Sequence, residues 1–242
     1  MEIIKGVDVA AVAGNPLVST SLLRSLLTCA LAGAGKTYTT SRVIDSFKDP
    51  TPGALTYEKL GYFYCDRAEE NRRDPEIILN TLVQQFVQTS AEDDVLKPVV
   101  DIYEEREQIG QKCSSLSLTE SRELLIKLAT IYPRMTICID ALDEVDHEKR
   151  LRLLAALRHV VKSSKNVVKI FATTRMDPDI LRQFQEFPKI ELLPDDNIGD
   201  INRFIETSVQ SIIDDGRLLD GSVDGNLRDE ICNVLRERSR GM

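Results

Sequence analysis

The sequence predicts an α/β domain built on a central parallel sheet with helices on both faces. Three observations carry that prediction. Short apolar runs alternate with helical patterns along most of the chain. Val167-Val168 and Ile170-Phe171 form a run apolar on both faces, as a doubly covered strand requires. A glycine-containing segment, ALAGAGKT at residues 30–37, joins a buried strand to a helix. The composition permits such a core: the chain has 242 residues, 42% of them hydrophobic and 29% charged, which excludes wholesale disorder. A net charge of −8 argues against a nucleic-acid surface as the main function.

Residues 1–24 form a lead segment, and a core is expected over residues 25–195. Residues 26–31 read as a buried strand and 37–47 as a helix. Residues 62–65 are aromatic, bounded by Gly61 and Asp66, and read as a strand. Asp74 is an N-cap with Pro75 at the first helical position, and Ile77, Ile78, Leu82, Phe86 and Val87 follow at helical spacing. A further helix starts near Pro98 and is expected to carry Val99, Ile102 and Tyr103 inward. Residues 110–117 are a loop, closed by the capping box Ser117-x-x-Glu120 before another helix. Residues 135–139 read as a strand, 147–161 as a helix, 167–172 as a strand and 190–192 as a short strand. Residues 196–242 are a helical extension with a glycine-rich break over 216–225. The chain stops abruptly after a helix, which is the look of a truncated chain.

The five cysteines are odd in number and widely spaced, with no CxxC pair, which fits a reducing compartment; the expected location is cytoplasmic. Cys29, Cys65 and Cys138 lie in apolar runs, where a free thiol behaves as a small buried hydrophobe. The most apolar window, residues 22–34, is broken by Arg24 and too short to span a membrane. LLTCALA at residues 26–32 resembles the apolar stretch of a signal peptide, but it starts late, and cleavage there would split the best motif. Neither a nucleic-acid nor a membrane partner is expected.

Three motifs carry chemistry. In ALAGAGKT, Gly33 and Gly35 let successive backbone N–H groups turn toward phosphate oxygens, and the helix beginning near Lys36 adds its positive end. Ala30, Gly33, Ala34, Gly35, Lys36 and Thr37 form the candidate phosphate loop. Lys36 would reach the β- and γ-phosphates, and the Thr37 hydroxyl would hold Mg²⁺. In TICIDALDEVD, the strand ends in Asp140 at the carboxyl edge of the sheet, where α/β ligands bind. Asp140 would serve the Mg²⁺ shell, and Asp143 or Glu144 would orient or deprotonate an attacking water. In KIFATTRMD, Arg175 at the strand tip would sense the γ-phosphate. Arg67, Arg72 and Arg73 form a charged loop with a bland solvated reading. His147 and His159 sit at helical positions with no catalytic context. Residues 174–177 only faintly echo the guanine-reading [NT]KxD, since Arg175 replaces its Lys, and DxxG is missing after Asp140, so a Ras-type GTPase is not expected.

Together with GYFYCDR, DPEIILNTLVQQF, ICIDALDE and FATTR, these motifs resemble the NACHT family of STAND P-loop NTPases, and within it the nephrocystin-type N-terminal module. Ala141 stands where most other ATPases place the catalytic Glu, so the acids follow later, as in the D-[GAS]-h-D-E pattern of NACHT proteins. The resemblance implies a three-layer P-loop sandwich and an ATP/ADP-controlled switch requiring Mg²⁺. It further implies slow hydrolysis and a readout by assembly with protein partners. It makes Asp140 the Walker B acid, Asp143 the favoured base and Arg175 the sensor, with the sensor strand lying between the strands that precede the phosphate loop and end in Asp140. Two departures stand out: Ala30 replaces the usual first glycine of the loop, and the family's winged-helix region is missing. The alternatives are an interaction scaffold with a degenerate nucleotide site and a P-loop small-molecule kinase, though no lid insertion is found for the latter.

Overall fold

The computed structural model describes residues 25–30, 35–48, 58–88, 95–108, 110, 115–187, 189–192 and 198–239. The lead segment, residues 31–34 of the phosphate loop and Cys113 lie outside them. Within them the chain runs β1 (Ser25–Ala30), α1 (Lys36–Lys48), β2 (Glu58–Tyr64), α2 (Glu70–Arg73), α3 (Pro75–Val87), α4 (Lys97–Gln108) and α5 (Leu118–Leu128). It continues through β3 (Arg134–Asp140), a single 3₁₀ turn (Leu142–Glu144), α6 (His147–Ser163), β4 (Val167–Thr174), α7 (Pro178–Gln183) and β5 (Lys189–Leu192). Two helices close it, α8 (Ile198–Asp214) and α9 (Gly225–Ser239).

The five strands form one parallel sheet in the order β2-β3-β4-β1-β5. The sensor strand β4 lies between β1 and β3, as the resemblance implies, and β2 and β5 are the edges. This is a P-loop-NTPase-like α/β fold. On one face α1 sets Val43 and Ile44 against Cys138 and Phe171. On the other, α3, α5, α6 and α7 bury Leu79, Phe86, Leu125, Leu157 and Ile180 against Ile137, Ile139, Ile170 and Ala172. Each such side chain contributes about 1.5–3 kcal/mol on leaving water, so this second face carries most of the core. α8 and α9 pair through a separate cluster of Ile205, Val209, Ile213 and Cys232. Cys29, Cys65, Cys138 and Cys232 are free and buried.

Local signals act as the sequence suggests. Asp74 caps α3 through Glu76 N–H, with Pro75 opening the helix. Ser117 and Glu120 complete the capping box of α5. β2 is longer than its aromatic part, because Glu58 at its start pairs with Lys169 at 3.1 Å and takes the Thr136 hydroxyl bond. Gly61 lies where β2 meets α3, and a Cβ there would sit 2.7 Å from the Phe86 ring. Two short helices, α2 and α7, add to the predicted set.

One expectation is corrected. Val99 and Ile102 of α4 pack against the core, but Tyr103 is 53% exposed. The inward position one turn on is taken by Arg106, which is buried. Its guanidinium forks onto Glu120, Nε to Oε1 and Nη2 to Oε2 at 3.0 Å each, and Nη2 also donates to the Ser115 carbonyl at 2.9 Å. A paired arginine thus replaces an aromatic ring at the α4–α5 seam.

Hydrogen bonds from Arg106, then from Ser117, push the Glu120 carboxyl down to about 2 from 4.5. A carboxyl depressed by folding contributes stability that is complete above 4.5 and is lost as the pH falls toward 2. Glu120→Gln removes that contribution. Urea titrations at pH 6 and pH 3 are expected to show a smaller fall in midpoint for the variant than for the parent. An equal fall in both refutes the assignment.

Candidate functional site

Parallel registry brings the candidate residues to one edge of the sheet. Cys29 pairs with Thr174 and Ile139 with Ala172, so β1, β3 and β4 all end at the same crevice. Gly35, with φ of 80°, makes the left-handed step that a side chain would oppose. α1 starts immediately after it, with Thr39 N–H bonded to the Gly35 carbonyl at 2.9 Å. Lys36 is half-buried at the head of this helix. Burial holds its ammonium below the ordinary lysine value; Asp143 opposes that shift and Arg175 reinforces it. Lys36 thus stands within electrostatic reach of Asp143 and Arg175. Gly33 and Ala34 lie outside the described residues, as does the side chain of Ala30.

Asp140 is 2% exposed and accepts three hydroxyls. Thr37 Oγ1 donates to Oδ2 at 2.7 Å, Thr40 Oγ1 to Oδ1 at 2.8 Å, and Thr173 Oγ1 to Oδ1 at 2.5 Å. The Thr173 oxygen in turn accepts from Ala141 N–H at 3.0 Å. A buried carboxylate without such partners would be costly. The candidate metal ligands Thr37 and Asp140 therefore touch across 103 positions. Both offer hard oxygen atoms, the donor type Mg²⁺ takes. Among the described residues there is no cluster of three His, Cys, Asp or Glu side chains suited to a metal.

After Asp140 the backbone reverses. Ala141 takes the left-handed conformation, φ 52° and ψ 51°, uncommon for a residue with a Cβ. The 3₁₀ turn that follows carries Asp143 and Glu144 toward the tip of β4. Asp143 is buried, and Arg175 occupies both its oxygens: backbone N–H to Oδ1 at 2.9 Å, and Nε to Oδ2 at 3.2 Å. Arg175 Nη2 reaches Glu144 Oε1 at 3.2 Å. Arg67 N–H bonds Glu144 Oε2 at 3.2 Å, and Arg67 Nη2 donates to the Asp143 carbonyl at 2.8 Å. Asp143 and Arg175 are thus clasped together. Arg72 instead braces the Tyr64 carbonyl at 2.9 Å. His147 meets Asp179, and His159 lies beside Ser163.

Sequence reading missed three contributors. Thr40 lies one helical turn beyond Thr37, on the same face. Thr173 is the penultimate residue of β4, beside Thr174, whose buried hydroxyl has no partner among the described residues. Arg150 falls inside the buried stripe Leu153, Leu154, Leu157 and Val161 of α6. A cation at an apolar position of the helical repeat was its signal.

A family model described as Nephrocystin 3, N-terminal, matches residues 18–175. Every candidate site residue from Ala30 to Arg175 falls within that span. A search of curated proteins finds no match. Among solved structures, the ATP-binding cassette MJ0796, a dimer in a post-hydrolysis state with ADP and Pi, is 14% identical. The match covers 70% of this chain and 81% of that one, with a TM-score of 0.34. At that score the two backbones superpose too little for the pair to bear on chemistry here. No helix among the described residues is long and apolar enough to cross a membrane. With the family match covering well over half of its length and the parallel sheet in place, the chain belongs to the nephrocystin 3 N-terminal family.

Proposed function

We propose that this chain is the ATP-binding regulatory module of a NACHT-type STAND NTPase, a nucleotide-controlled switch with slow ATP hydrolysis. The observation that carries the reading is the 2.7 Å contact between Thr37 and Asp140. A hydroxyl at the head of a helix that follows a glycine loop meets a carboxylate at the end of a neighbouring strand, and each is a fitting Mg²⁺ ligand. Residues 30–37 would cradle the phosphates of ATP or ADP, with Lys36 on the β- and γ-phosphates. Bound Mg²⁺ would neutralise phosphate charge there. Asp143, with Glu144 beside it, would act on the attacking water, and Arg175 would meet the γ-phosphate. The core of this module is residues 25–195, and residues 196–242 are its helical extension. A cytoplasmic location and nucleotide-dependent assembly with protein partners belong to the same reading.

The clasp supports slow turnover. Arg175 donates to both Asp143 oxygens, its backbone N–H to Oδ1 and its Nε to Oδ2, which makes the carboxylate a weaker base until the guanidinium lets go. A γ-phosphate, carrying more charge than either carboxylate, is the natural competitor for that guanidinium. The same clasp favours a second reading, a scaffold that has lost nucleotide chemistry.

Calorimetric titration of the purified chain with ATP, ADP and GTP, each with Mg²⁺, separates the two readings. ATP and ADP are expected to bind, and GTP to bind more weakly. Absence of binding by all three leaves only the scaffold.

A further inference from the structure

We infer that Arg150, on α6, is a positioning residue that sets Asp143 and Arg175 in their mutual register; in its catalytic meaning this rests on the nucleotide reading above. The Arg150 side chain is 3% exposed. Its Nη2 donates to Asp177 Oδ2 at 2.7 Å, and its Nη1 reaches the Asp143 carbonyl at 3.4 Å. One guanidinium therefore spans the acid turn after β3 and the turn after β4.

Both ends of that span sit next to working parts. Asp177 is two residues beyond Arg175, its N–H bonds the Arg175 carbonyl at 2.7 Å, and its Oδ1 accepts Asp179 N–H at 3.0 Å to start α7. Fixing Asp177 thus fixes the backbone on which Arg175 stands. At the other end, the Asp143 carbonyl takes Arg150 from inside and Arg67 from the solvent side. Arg150 is itself anchored, since its backbone N–H bonds the Asp146 carbonyl in the first turn of α6 at 2.8 Å.

Burying a guanidinium is costly, and an apolar residue would suit the stripe of α6 better for stability alone. What an apolar residue cannot do is bond two loops at once. Lysine keeps the charge but has no planar fork to bridge them. Arg67 is more exposed than Arg150 and holds only the acid turn, so it cannot substitute. The bond that reports the register is Arg175 N–H to Asp143 Oδ1, at 2.9 Å.

The test follows that N–H by residue-resolved hydrogen exchange in the full chain without nucleotide, in Arg150→Lys and, separately, Asp177→Asn. Arg175 N–H is expected to exchange about tenfold faster in both, as loss of a charged hydrogen bond allows, while Ile137 and Leu125 N–H keep parental rates. Unchanged exchange at Arg175 overturns the inference. So does equal acceleration at all three amides, which marks Arg150 as a general brace. If Arg150→Lys does not fold, Asp177→Asn decides alone. A second arm measures ADP affinity and single-turnover ATP hydrolysis. Hydrolysis is expected to fall about tenfold with ADP affinity within about twofold. A parent that binds no nucleotide ends the nucleotide reading but leaves the exchange result to decide on Arg150.

Discussion

Lys36→Ala is expected to lower Mg-ATP affinity by roughly 10²-fold or more while the circular dichroism spectrum stays that of the parent. Lys36 opens α1 and is half-buried at the crevice. Its ammonium is a compact charge, and on the nucleotide reading it is placed to meet two phosphates at once. Removing it deletes charge-assisted contacts and little packing, since α1 is held to the sheet by Val43 and Ile44. Alanine is also the better helix former, so the first turn survives. Burial already holds the ammonium below its ordinary value; an anionic ligand would reverse that shift, because opposite charge favours the protonated form. Unchanged ATP affinity in the variant removes Lys36 from the site, and a collapsed spectrum shows that its role is structural.

The fold was legible where burial is two-sided. β3 and β4 carry apolar runs, Ile137 to Ile139 and Ile170 to Ala172, because helices cover both faces, so their positions are legible in the sequence. β2 is an edge strand, and its first residues, Glu58 and Lys59, look like a loop; only pairing with β3 makes them strand. α7 begins with Asp177-Pro178, the same start signal as Asp74-Pro75, but it is so short that no apolar repeat announces it. Tyr103 against Arg106 shows the limit of periodicity. Hydrophobic spacing favours the ring, and the decision lies with Glu120, on another helix.

The candidate site was legible in parts. Thr37 and Asp140 each sit at the end of a recognisable element, so the order of strands brings them together. The clasp of Arg175 on Asp143 is different. It spans 32 positions and depends on one left-handed residue, Ala141, whose conformation no propensity would favour. Strain of that kind is retained where the surrounding structure over-determines it, and here Thr173 pins the Ala141 N–H.

That clasp frames the second large effect. Asp143→Asn is expected to reduce single-turnover ATP hydrolysis by roughly 10²–10⁴-fold with ATP affinity nearly unchanged. The carboxamide oxygen still accepts Arg175 N–H, so the backbone turn is kept, while its NH₂ replaces the oxygen that meets Arg175 Nε, and the group no longer takes a proton from water. On the nucleotide reading, ground-state contacts to phosphate would come from residues 30–37 and not from Asp143. Glu144→Gln is expected to cost less. Glu144 is more exposed than Asp143 and is shared between Arg67 and Arg175, so its loss weakens the clasp without removing the buried acid, Asp143. Arg175→Ala separates the two duties of the guanidinium. It frees Asp143 Oδ2, while the backbone N–H keeps its bond to Oδ1, and on the nucleotide reading it also removes the charge that would meet the γ-phosphate, so hydrolysis is expected to fall although the acid is partly released. Hydrolysis that rises in Arg175→Ala means the arginine only restrains the acid. Parental rates in both Asp143→Asn and Glu144→Gln mean that neither acid acts on water, and the turn after β3 then serves Mg²⁺ through Asp140 alone.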